Sequence, residues 1–153
     1  MALEIRTLPI EYTLHGHSLR HEPGRPFGPE IMSLLGRVWP VLKGQAIPND
    51  GINRVVYEAG EEAGCTVFAG VVVNQGAEET AAAAGLEPKT IRLTHYAVWT
   101  HIGPYHLIPT TGAAMTKALE AQGHRTGWPM VEVYGHWTSD ESKLETQTFV
   151  AIR

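Results

Sequence analysis

The 153 residues are 43% hydrophobic and 18% charged, the balance of a chain that buries its own core at the size of one domain. With 12 basic against 16 acidic residues the formal charge is −4, which leaves no basic field for direct nucleic-acid binding or for an anionic lipid surface. The single Cys65 cannot close an internal disulfide, the opening MALEIRTLPI has neither a basic n-region nor an apolar h-region, and no apolar run approaches the ~20 residues of a membrane span. A soluble, cytoplasmic protein without membrane contact is expected.

Residues 4–20 are β-compatible and partly alternating, with Pro9 interrupting them, and read as an edge-like or bulged strand. After the loop HEPGRPFG, Pro29 and Glu30 suit a first helical turn, because proline loses nothing where the backbone N–H is unpaired. Ile31, Leu34, Leu35, Val38 and Leu42 then recur at helical spacing as one buried face, although Gly36 and Pro40 weaken or bend the helix. Two strands follow at 52–59 and 66–74 with a hairpin loop at 60–64, and 75–88 read as a connector. A strand over 90–101, a helix over 109–122 stopped by Gly123, and strands over 130–138 and 145–152 complete the order.

Each half thus reads β-α-β-β. His15 and His21 stand six apart, as do His95 and His101, and eight residues after each second histidine comes a helix-starting proline, Pro29 or Pro109. The expected fold is α+β: one domain over 1–153 built from duplicated halves, about 1–74 and 89–153. Their sheets pair edge to edge, with two helices on one face and a ligand cleft on the other.

In the strand MVEVYGHW, alternation sends Met130, Glu132, Tyr134 and His136 one way and Val131, Val133 and Trp137 the other. The valine face is read as core. The polar row is either an ordinary solvated sheet face or a pocket floor, with Trp128 and Pro129 flanking it. On a covered face, a lone carboxylate calls for a cationic or proton-donating guest, and aromatic neighbours add roughly 1–2 kcal/mol of cation–π attraction. Gly103 and Pro104 force a turn that presents Tyr105 near a helix entrance, a feature that a well-made turn alone explains, and Tyr57 on the strand INRVVYEAG reads first as a half-buried packing residue, since aromatics mostly serve packing. His15 and His17 share a strand face with His21 nearby, yet no zinc-type spacing accompanies them, so neither metal nor cofactor is expected. Nucleophile-elbow, P-loop and dinucleotide signatures do not occur, and Cys65 reads as a packing residue.

The strand and turn HYAVWTHIGPYHLIP, with VEVYGHW and its Glu-x-Tyr pair, resemble the GyrI-like, or bacterial transcription-activator effector-binding, domains over nearly the whole chain. Such domains occur as the ligand-sensing part of AraC-type and MerR-type regulators and as free-standing proteins. The resemblance implies a pseudo-symmetric fold whose pocket glutamate falls on Glu132 and the tyrosine beside it on Tyr134, with Tyr57 and Tyr105 as further aromatic carry-overs. Trp128 and His136 complete the candidate ligand-binding set. GHWTSDES after Tyr134 departs from the family's asparagine- and proline-rich loop, which changes the pocket rim. With the first strand expected almost at Met1, no residues are left for a recognition helix, and a stand-alone member is expected.

Three functions follow from this resemblance. The chain binds a small aromatic compound, cationic or neutral, as a sensor or sequestering protein. Alternatively it is a hydrolase that opens cyclopropane-containing alkylating antibiotics, with Glu132 activating water and Tyr134 bonding the ligand carbonyl. The third is a gyrase-inhibitor-like protein-interaction role, and a homodimer stays open.

Overall fold

The computed structural model describes residues 3–60, 62 and 64–153. Its strands are β1 (Glu4–Arg6), β2 (Ile10–Arg20), β3 (Arg54–Ala59), β4 (Cys65–Val71), β5 (Glu87–Leu93), β6 (Tyr96–Ile102), β7 (Thr126–Tyr134) and β8 (Glu145–Ile152). Its helices are α1 (Phe27–Gly44), α2 (Glu78–Ala83) and α3 (Ile108–Ala121). The strands form one antiparallel sheet in the order β1-β6-β8-β7-β3-β4-β2-β5, the duplicated α+β architecture expected. The 60–64 hairpin loop includes residues 61 and 63, outside the described residues; its ends are tied by the Gly60 N–H donating to the Gly64 carbonyl at 2.8 Å.

Residues 4–20 are not one edge strand. They break around Pro9, which has no N–H to give a ladder, and the segment expected as one strand over 90–101 breaks opposite them, between Leu93 and Tyr96. β1 pairs with β6 and β2 with β5, so a single broken ribbon joins the two ends of the sheet and curls it. Where β2 pairs with β4 the backbones come very close: a Cβ at Gly16 would lie 1.9 Å from the Ala69 carbonyl oxygen, so only glycine fits.

Leu14, Val56, Phe68, Ile91, Leu93, Tyr96, Val98 and Val131 fill one face of the sheet. The other face carries the helices. Leu34 of α1 packs on Val55, Val67 and Ala69, and Leu119 of α3 packs on Ala97, Trp99, Val150 and Ile152. α1 starts two residues before Pro29 and runs through Pro40 to Gly44. The proline costs about 3 kcal/mol, whereas burying Leu34, Val38 and Leu42 contributes about 1.5–3 kcal/mol each, so the helix continues.

The segment read as a connector holds α2 and the start of β5. Its alanines are strong helix formers, and Ala81 is buried with Val38 and Leu42, but six residues are too few to show a period. β7 starts earlier than expected, is bulged between Thr126 and Met130, and ends at Tyr134. Trp137 therefore lies beyond the strand and is 75% exposed, not part of the core. No described helix is long and apolar enough to cross a membrane.

Candidate functional site

Strand register places Glu132. It stands beside Val55 of β3 on one side and Thr148 of β8 on the other, and Thr148 stands beside Trp99 of β6. Val55 packs under α1 and Trp99 under α3, so the row crosses the gap between the two helices. Glu132 is thus on the helix-bearing face, not on the face opposite as the cleft was expected to be. Alternation still sends Val131 into the other core; β7 is covered on both faces at Glu132 and Tyr134, so that part of the polar row is not a solvated face, while His136 is exposed.

Glu132 is 6% exposed. The Tyr57 hydroxyl donates to its Oε1 at 2.6 Å and the Tyr134 hydroxyl donates to the same oxygen at 2.9 Å. Both partners act on Oε1, which leaves Oε2 without a side-chain donor among the described residues. Nor does any described Lys, Arg or His lie within ion-pair distance of the carboxylate. Burial pushes the Glu132 carboxyl above its ordinary value, and the two tyrosine hydrogen bonds pull it only partly back. Tyr57 and Tyr134 are both pushed up, first by burial and then by the neighbouring carboxylate charge, so they remain donors.

Two aromatic rings brace the tyrosines. Phe27 meets Tyr57 edge-on at 5.2 Å and 87°, and Tyr105, in the turn before α3, meets Tyr134 at 5.4 Å and 86°. His21 stacks on Phe27 at 3.9 Å and bonds Glu30 through Nδ1 at 2.5 Å. His101 donates from Nε2 to the Pro104 carbonyl at 3.0 Å, and its Nδ1 lies 2.7 Å from the Thr111 hydroxyl. Sequence reasoning did not mark Phe27, Glu30, Thr111, Thr148 or Trp99 as neighbours of this site. The one signal pointing toward two of them was the equal offset from His21 and His101 to the helix prolines.

The structure thus brings Glu132, Tyr134, Tyr57 and Tyr105 together. Trp128 sits in the β7 bulge at 46% exposure, and His136 is exposed beyond the end of β7; neither hydrogen-bonds the carboxylate. The histidines raised as metal ligands go separate ways. His17 bonds Glu87 at 3.3 Å, His21 bonds Glu30, and His15 is buried with Nδ1 unpartnered among the described residues. The described residues contain no group of three or more His, Cys, Asp or Glu that could hold a metal ion.

A model of the GyrI-like small molecule binding domain matches residues 1–153. Among solved structures, SAV2435 bound to tetraphenylphosphonium superposes with a TM-score of 0.70 at 16% identity, over 100% of this chain and 94% of that one. The EcmrR C-terminal domain gives 0.66 at 15% identity, over 100% and 99%. A hydrolase from Listeria innocua gives 0.55 at 14%, over 99% and 91%. No curated protein shows a significant sequence match.

Proposed function

Because the chain belongs to the GyrI-like small-molecule-binding family, we propose that it binds a lipophilic, aromatic organic cation between α1 and α3, with Glu132 as counter-ion. The observation that carries this reading is the buried carboxylate with no cationic partner among the described residues. An isolated buried charge costs several kcal/mol, and two tyrosine hydrogen bonds return only part of it. A cation at Oε2 would complete the compensation. Tyr57, Tyr134 and Tyr105 would supply π faces to a delocalised charge at about 1–2 kcal/mol per desolvated contact. Trp128 and His136 have no part in this reading.

The test is calorimetric titration of the wild type and Glu132→Gln with tetraphenylphosphonium, the cation seen on SAV2435. Glutamine keeps an acceptor for both tyrosines and removes the charge. Binding by the wild type and at least about a tenfold loss in the variant is expected; equal affinities would remove Glu132 from the site. The solved Listeria hydrolase of the same fold favours a second reading, in which Oε2 activates water. Mass spectrometry of cyclopropane-containing antibiotics after incubation separates the two, since a water-added product lost in Glu132→Gln would make the protein a hydrolase.

A further inference from the structure

Both tyrosines that reach Glu132 are braced in the same way from the two halves of the chain. In the first half, His21 follows the last residue of β2, and its backbone N–H donates to the Cys65 carbonyl at 2.8 Å. Its ring lies flat on Phe27, with only 16° between the planes, while Nδ1 donates to Glu30 one turn into α1. Phe27 in turn touches Tyr57. In the second half, His101 near the end of β6 holds the Pro104 carbonyl through Nε2 and Thr111 of α3 through Nδ1. Tyr105, the next residue after Pro104, touches Tyr134. In both halves a histidine at the end of a strand is tied to the first turns of the following helix, and an aromatic ring between them meets the tyrosine.

We propose that His21 and His101 are positioning residues of the Glu132 site, each fixing the ring that holds one of the two tyrosine donors on the carboxylate. Neither touches Glu132. The rings need such anchors because Phe27 opens a helix that has no side-chain cap and Tyr105 stands 38% exposed in a three-residue turn. A donor held within a few tenths of an ångström binds without first being ordered, and that saving is lost when its support loosens. The Glu30 carboxyl agrees with a standing contact. Burial alone would raise it, yet hydrogen bonds from His21 and the Glu22 N–H, with the charges of His21 and Arg25, outweigh burial and hold it below the usual range. His101 works without a carboxylate: the Pro104 carbonyl can only accept, so Nε2 carries a proton, and Nδ1 pairs with the Thr111 hydroxyl.

The ligand consequence rests on the reading of Glu132 as the binding carboxylate, so the test has one arm with a ligand and one without. The arm without ligand follows the ring resonances of Tyr57 and Tyr134 by NMR in the whole chain. His21→Asn, which keeps a donor toward Glu30 but has no ring, should move the Tyr57 signals and leave those of Tyr134. Thr111→Val should do the reverse. In the ligand arm, His21→Asn should weaken tetraphenylphosphonium binding about fivefold through lost pre-organisation, and His21→Phe, which restores a ring over Phe27, should recover most of it. A folded His21→Asn protein with unmoved tyrosine signals, or one that merely melts earlier, overturns the proposal; should that variant not fold, His21→Gln, which also keeps a donor and has no ring, takes its place. If the wild type does not bind the cation, the counter-ion reading falls while the NMR arm still decides the positioning claim.

Discussion

Helix α1 drives Leu34, Val38 and Leu42 to 0%, 0% and 2% exposure against the sheet, whereas α3 buries Leu119 alone and leaves Ile108, Thr111, Gly112 and Met115 half-buried. Both helices flank the same carboxylate, and both descend from the same β-α-β-β plan. The first half therefore acts as frame, and the looser packing lies on the side where Tyr105 meets Tyr134. The largest effect that can test this contrast is in the apolar contacts. Leu34→Ala should cost about 2–5 kcal/mol in urea unfolding, and Met115→Ala, at a half-buried position, about 1 kcal/mol. Equal losses would erase the distinction between frame and looser wall.

The next effect concerns charge rather than packing. Folding raises the Glu132 carboxyl above its ordinary value of 4.5, so the folded protein holds that proton more tightly than the unfolded chain. Its contribution to stability is complete below the unfolded value and is lost as pH rises through the raised folded one. Glu132→Gln removes this dependence. The melting temperature of the variant minus that of the wild type should therefore grow as pH climbs from about 4.5 toward neutrality. A gap that stays constant or narrows would mean that Glu132 is already compensated in the unliganded protein.

The legible parts of this molecule are those governed by neighbours in sequence. Alternation in MVEVYGHW put Glu132 and Tyr134 on one side of a strand, and Pro29 and Pro109 marked the helix entrances within two residues. Partner exchange was not legible. Pro9 signalled an interruption, but nothing local says that β1 then pairs with β6 while β2 pairs with β5, nor that Glu132 stands in register with Val55 under α1, which sets the face on which it lies. Trp137 was misplaced because alternation was followed past Gly135, where the strand stops. The brace on Tyr57 was hidden because HEPGRPF reads as a polar loop, and only in three dimensions does it return Phe27 and His21 to the site.

The smallest expected effect comes from the first half and has the opposite sign to that of Glu132. His15 lies at 3% exposure beneath the region where α1 and α2 meet the sheet, its Nδ1 unpartnered among the described residues. Burial lowers its pKa below 6.5, and the nearby Glu78 charge only partly offsets this. The unfolded chain therefore binds this proton more tightly, and stability is lost as pH falls below 6.5. His15→Leu removes both the titration and an unsatisfied nitrogen, so its melting temperature should decline less than that of the wild type between neutral and mildly acid pH. Thermal melts of wild type, His15→Leu and Glu132→Gln over one pH series separate the halves: one variant should flatten the acid side of the stability curve, the other its neutral side. If His15→Leu left the acid side unchanged, the Nδ1 position would be hydrated or bonded in solution, and the first half would have no buried imidazole to set against the carboxylate of the second.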